Sequence, residues 1–204
     1  MKKSFLIWFI ILLAWQEVSA QQVDNYRQDT LTVYRRERGF YSDPIRSKWR
    51  QEVKNEGDAW VLRLYNKKKV LQELITFSDK NLEVRKGAYK LFKDGQIQEE
   101  GTFDKGYKVG VWDYYAGKHL SEKVNYAWDK KYGVSISYWD NGEVKTKKNY
   151  INDVKTGEWK SFYKDGKLAL HEIYDQNGKL EAGKYYNPEG KEVDASFVAK
   201  ALAL

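Results

Sequence analysis

From residue 87 to residue 190 the sequence returns to the same pattern about every two dozen positions, and few folds accommodate that. Glycines stand at 87, 110, 133, 157 and 183, separated by 23, 23, 24 and 26 residues. Phe92, Tyr115, Tyr138 and Phe162 form a second column, and Ile97, Leu120, Val144 and Leu168 a third. Phe103, Tyr126, Tyr150 and Tyr174 form a fourth. Tyr89, Trp112 and Trp159 form a fifth, which Ser135 interrupts. A period of this length marks stacked supersecondary units, each unable to bury its apolar side alone.

Each unit reads as two short strands around a turn. The first strand is Gly-x-aromatic-x-x-aromatic, as in Gly157-Glu158-Trp159-Lys160-Ser161-Phe162. Lys93-Asp94-Gly95, Asp140-Asn141-Gly142 and Lys164-Asp165-Gly166 follow, and Asp-Gly or Asn-Gly supplies the positive φ of a tight hairpin. The second strand opens on the aliphatic column and closes on the Phe/Tyr column. Aromatic and β-branched content favours strand over helix. Side chains alternate faces with period 2, so Trp159 and Phe162 point to opposite sides and both faces carry rings. A lone hairpin is unstable in water and a stack is not. The expected fold is all-β: consecutive β-hairpin repeats of 23–24 residues, forming one elongated, twisted sheet with short helical or irregular flanks.

The ends differ. Gly57, Trp60, Tyr65, Val70 and Phe77 suggest a degenerate copy over 57–86, with Lys67-Lys68-Lys69 where a turn glycine would stand. The repeats proper cover 87–190 and end on a truncated copy containing Gly183, Tyr185, Tyr186 and Asn187-Pro188-Glu189-Gly190. Residues 21–56 form an N-terminal flank. Within it Asp43-Pro44, followed by Ile45, Trp49 and Val53 at i, i+4 and i+8, predicts a short helix over 44–55. The alanine- and leucine-rich tail, 191–204, predicts a capping helix. Either flank would cover an open sheet edge.

The columns resemble the MORN repeat (membrane occupation and recognition nexus), nearest to its bacterial variant. The resemblance is carried by Gly-x-Trp-x-x-Phe/Tyr, an Asp/Asn-Gly turn, an aliphatic and then Tyr. It covers 87–190 well and 57–86 weakly, and departs from the pattern at Ser135, at the short turn Ala116-Gly117 and at Lys67–Lys69. It implies a hairpin array that serves as a scaffold or protein-binding surface. Bacterial relatives are often labelled antitoxin-like, and an export signal argues against neutralising a cytosolic toxin.

Such a signal is present. Lys2 and Lys3 precede an unbroken apolar run of eleven residues, Phe5 to Trp15, and Val18-Ser19-Ala20 follows. This is the order of a secretory signal peptide over 1–20, cleaved after Ala20. The run has about half the roughly 20 residues a membrane-spanning helix needs, so no transmembrane segment is expected in the mature chain. The expected location is the periplasm, the cell surface or the exterior. With no cysteine in the chain, disulfides, thiolate metal sites and a lipidated N-terminal cysteine are excluded.

Chemistry is not apparent. His119 and His171 occupy unequal places in the repeat, and no metalloprotease, nucleophile-elbow or phosphate-loop motif occurs. Asp175-Gln176-Asn177-Gly178 opens like a calcium loop but lacks the later ligands. No cofactor is called for. The expected function is therefore that of an exported, non-enzymatic scaffold binding a protein partner. The candidate binding residues are Tyr89, Phe92, Trp112, Tyr115, Tyr138, Trp159 and Phe162. The alternative is a peptidoglycan- or glycan-binding module of the cell envelope, its rings stacking on sugars. A net charge of +7 also suits an anionic membrane surface. Interleaved acids and the export signal argue against nucleic acid.

Overall fold

The computed structural model describes residues 30–36, 39–41 and 49–202. The signal-peptide segment lies outside them, as do Asp43, Pro44 and Ile45. Among the described residues there are fifteen strands and one helix. The strands are β1 (Thr30–Arg36), β2 (Gly39–Tyr41), β3 (Trp49–Glu56), β4 (Ala59–Asn66), β5 (Leu71–Phe77), β6 (Arg85–Lys93), β7 (Gln96–Asp104) and β8 (Tyr107–Ala116). They continue as β9 (His119–Ala127), β10 (Lys130–Lys131), β11 (Gly133–Tyr138), β12 (Val144–Ile151), β13 (Val154–Phe162), β14 (Leu168–Tyr174) and β15 (Leu180–Tyr185). The helix is α1 (Ala195–Leu202). All the strands join one open antiparallel sheet, in the order β2, β1, β3, β4 and then along the chain to β15, with β10 a short addition beside β9. The chain is an all-β hairpin array.

Two kinds of turn build it. Lys93 pairs with Gln96 across Asp94-Gly95, both residues at positive φ, the backbone that two-residue hairpins require. Lys105-Gly106, Trp128-Asp129 and Asn152-Asp153 take the same form where one unit passes to the next. These connecting turns also fold back on the strand that opened their unit. The amides of Gly106, Asp129 and Asp153 donate to the carbonyls of Arg85, Lys108 and Lys131 at 2.8, 3.1 and 3.0 Å. The second kind is a five-residue turn at Tyr163–Lys167, Trp139–Glu143 and Asp175–Lys179, closed by a glycine in the left-handed region.

The sheet has one buried face, called inner here. Its central row is Tyr89, Trp112, Ser135 and Trp159, at 9%, 0%, 3% and 5% exposure. The row beside it is Phe103, Tyr126, Tyr150 and Tyr174. Tyr89 and Phe103 each lie within 5.4 Å of Trp112 in the next unit, centroid to centroid. Gly101 faces this cluster, and a Cβ there would collide with the Trp112 indole. Nearer the N-terminus the same face is continued by Val53, Leu62, Leu64 and Phe77. At the other end α1 lies over it, burying Val198 and Leu202 against Tyr163, Ala169 and Leu170.

Three expectations need correction. Trp49–Glu56 is a strand, not part of a helix over 44–55. Trp49, Gln51 and Val53 also alternate with period 2, and pairing with β4 satisfies a whole row of backbone groups. The flank thereby continues the sheet. In the degenerate copy the register differs from the sequence alignment. Trp60 pairs with Phe77 as Gly87 pairs with Phe103, and Tyr65 pairs with Leu71 as Phe92 pairs with Ile97. Leu62 therefore takes the central-row place, and Leu71 rather than Val70 takes the aliphatic one. In the last copy Gly183 pairs with Glu172, which also pairs with Trp159. Gly183 thus sits in the row of Trp159, two places on from the glycine column.

Lys67-Lys68-Lys69 nevertheless makes the five-residue turn. Asn66 and Val70 close it, and Lys69 takes the left-handed place with φ 60. A side chain there costs roughly 1–2 kcal/mol, part of which reflects lower freedom when unfolded. Lys69→Gly is expected to stabilise the chain by about 0.5–1 kcal/mol in urea unfolding, while Gly166→Ala at the equivalent place destabilises it.

Candidate functional site

The inner face is capped by a row of cations two residues before each glycine: Arg85, Lys108, Lys131 and Lys155. The Arg85 guanidinium lies 4.1 Å from the Phe103 ring centre, and Lys108 Nζ lies 3.8 Å from that of Trp112. Lys131 Nζ is 5.2 Å from Tyr150, and Lys155 Nζ is 4.5 Å from Trp159 and 4.9 Å from Tyr174. Each cation sits against the electron-rich face of a ring, an attraction that strengthens as water is removed. Burial holds the Lys108 ammonium below its ordinary pKa, while Glu99 at 3.8 Å opposes that shift. The indole N–H groups also tie units together. Trp112 donates to the Thr102 carbonyl at 3.2 Å, and Trp159 donates to that of Asn149 at 2.8 Å.

The seven candidate residues separate by face. Tyr89, Trp112 and Trp159 are buried on the inner face and hold the array together. Phe92, Tyr115, Tyr138 and Phe162 lie half-buried on the opposite, outer face, paired across strands with Ile97, Leu120, Val144 and Leu168. Ion pairs flank them there. Lys90 meets Glu100 at 2.8 Å and Lys123 meets Asp113 at 2.9 Å. The Tyr115 hydroxyl donates to Glu100 at 2.8 Å. Beside Phe162 and Leu168 the outer face holds a shallow cavity of about 520 Å³, which Val134, Lys147 and Lys160 also line.

A second cavity, of about 340 Å³, lies on the inner face beneath α1. Lys148, Lys155, Trp159 and Ser161 form one wall, Glu172, Tyr174 and Tyr185 another, and Ala195, Val198 and Ala199 of the helix the roof. Glu172 accepts hydrogen bonds from the Tyr174 and Tyr185 hydroxyls, both at 2.8 Å. Burial lowers the Lys148 pKa, and the neighbouring Lys155 lowers it further.

The sequence reading missed the cation row and this cavity. The row carries a legible signal, Lys/Arg-x-Gly at 85, 108, 131 and 155 with spacings of 23, 23 and 24. The cavity does not, because it depends on where α1 comes to rest. His119 is exposed, and His171 Nε2 lies 3.2 Å from Glu158 on the surface. Among the described residues no group of His, Cys, Asp and Glu is arranged to hold a metal ion.

Residues 131–152 and 155–172 match the MORN repeat variant. These two units are similar to MORN repeats. Both stretches begin on a cation of the inner row, Lys131 and Lys155, and the first contains Ser135, so loss of the ring there does not abolish the match. MORN repeats are non-catalytic modules that bind proteins or membranes. No curated protein matches the chain. No described helix is long and apolar enough to cross a membrane.

The rings give the array a characteristic alkaline response. Burial, then the hydrogen bond with Tyr126, pushes the Tyr114 phenol well above its usual range, and burial followed by Glu73 does so for Tyr89. The hydrogen bond to Glu100 pushes Tyr115 up to about 12, and burial pushes Tyr185 up to about 12. The unfolded chain releases these protons near 10.0 and the fold retains them. Their contribution is complete below that pH and lost above it. Lys108 and Lys148, both depressed, act in the opposite sense, because stability rises as pH climbs from their lowered values to 10.5 and gains nothing more above it. The guanidinium midpoint is expected to hold to about pH 10 and then fall steeply. Tyr114→Phe should flatten that fall.

Proposed function

We propose that the chain is an exported, non-catalytic scaffold that binds a protein partner through its outer face and the adjoining turns. One observation carries this reading, namely the apolar surface left uncovered there. Val111, Val134 and Ile173 stand at 56%, 49% and 37% exposure on the outer face, which also carries the half-buried row from Phe92 to Phe162. At the connecting turns Tyr107, Trp128, Tyr132, Ile151, Val154 and Leu180 are exposed as well. Exposed apolar side chains gathered on one face and its turns mark interaction sites, and Trp and Tyr dominate the energetics of protein interfaces.

Trp128 supports the reading separately. It stands at φ 54 in its turn, half exposed, with its ring 5.8 Å from that of Tyr107. Bulky residues rarely occupy that backbone region, and an asparagine or glycine would relieve the strain. A strained, exposed aromatic has a reason to be there when it contacts something else. The flanking Lys–Glu and Asp–Lys pairs suit the polar rim of an interface. The partner this surface fits presents aliphatic and aromatic side chains bordered by charges of both signs.

Export rests on the first twenty residues, with their basic, apolar and small-residue order. N-terminal sequencing of the mature protein is expected to begin at Gln21, and an intact Met1 would remove export from the proposal. For the binding face, the paired change Trp128→Ser and Val111→Ser leaves the inner rings untouched. It is expected to weaken partner binding by a factor of about 30 or more, from loss of about 2 kcal/mol at one hot spot, with the melting transition unchanged. In-cell cross-linking followed by titration of the captured partner measures it. Saturable binding to purified peptidoglycan, lost in the same variant, would replace the protein reading with the glycan one.

A further inference from the structure

We propose that the cavity between α1 and the inner face is a binding site for a small organic monocarboxylate. It is independent of the outer surface and of the partner assigned to it.

The site arises from a change in what fills the inner face. At the central row the ring gives way to Ser135, and at the next row inward Leu91 and Tyr114 give way to Ser137 and Ser161. The first half of the array is packed with side chains at these places. The second half has hydroxyls and a gap, and α1 roofs the gap instead of filling it. The volume of about 340 Å³ equals that of roughly eleven waters, room for a molecule with a single ring.

Charge selects the ligand. Lys148 and Lys155 approach the same indole, with Nζ at 5.0 and 4.5 Å from the Trp159 ring centre. Among the described residues no carboxylate lies within 4.0 Å of either ammonium. Lys148 faces Lys131, Lys145 and Lys155, with Glu122 the acid acting on it. The charged residues lining the cavity are two lysines and one carboxylate, Glu172, which leaves a single positive charge, and Lys155 Nζ donates to the Tyr174 hydroxyl at 3.4 Å, not to an acid. A monoanion neutralises it and a dianion overshoots. The Ser161 hydroxyl also lines the cavity, at 0% exposure and with no hydrogen-bond partner. Such buried groups are normally satisfied, and a carboxylate oxygen held by the lysines would accept from it. The roof of Ala195, Val198 and Ala199 is apolar, so the rest of the ligand is too.

Isothermal calorimetry with benzoate, benzyl alcohol and inorganic phosphate as probes tests the assignment. Benzoate is expected to bind saturably with Kd below about 1 mM, and the neutral alcohol and phosphate at least tenfold more weakly. Lys155→Met removes the charge and keeps an apolar stem beside Trp159. It and Lys148→Met should each weaken benzoate at least tenfold, with circular dichroism reporting the fold. Ala199→Leu should weaken it by narrowing the roof. Absence of benzoate binding, equal affinity for benzyl alcohol, tighter binding of phosphate, or unchanged affinity in both lysine variants would overturn the proposal. None of these outcomes bears on the outer-face partner.

Discussion

An indole laid across the boundary between two units is what an open, single-layer sheet of this kind depends on. With no second sheet among the described residues, a hairpin away from α1 buries its apolar area on its neighbours. Trp112 does so against Tyr89 and Phe103 of the preceding unit, and its N–H donates to that unit's backbone. Trp159 repeats the arrangement against Tyr150 and the Asn149 carbonyl. The lysine or arginine over each ring then closes the face to water. Its charged end lies against the ring face, so the interior of this sheet is capped by cations held on rings. Gly101 shows how tight the packing is, because the Trp112 ring occupies the space a side chain there would need.

Much of this was legible in the residues. Period, turn chemistry and the alternation of ring columns follow from local rules that every unit obeys, and residues such as Gly95, Trp112 and Phe162 announce them directly. Where the sequence misled, a competing pattern satisfied a different rule equally well. Trp49 and Val53 fit both a helical stripe and a strand face, and only the free edge of β4 decides between them. Gly57 and Gly183 look like members of the glycine column, yet register is a property of pairing, and each is displaced from its apparent place. Which rings are core and which are surface was not legible either. Trp159 and Phe162 belong to the same hydrophobic class, and their difference in burial comes from which face the cations and α1 cover.

The two halves of the array are built differently on the inner face. Around Trp112 every place is filled by a ring, a valine or a lysine stem. Around Trp159 serines replace large side chains, Lys148 lies where the earlier units have Gly101 and Val124, and a helix supplies the missing layer. The tail is thus more than an end piece. It completes a region that the repeats by themselves leave hollow, and it does so with small residues at the roof.

The turns that close each unit on its own opening strand make the array modular in a strict sense. Neighbouring strands lie about 4.8 Å apart, so inserting or removing one hairpin lengthens or shortens the sheet by about 9.6 Å and leaves every remaining internal bond as it was. A lineage carrying such a chain can therefore tune its span in fixed steps by unequal recombination, as a ruler is cut at its own graduations.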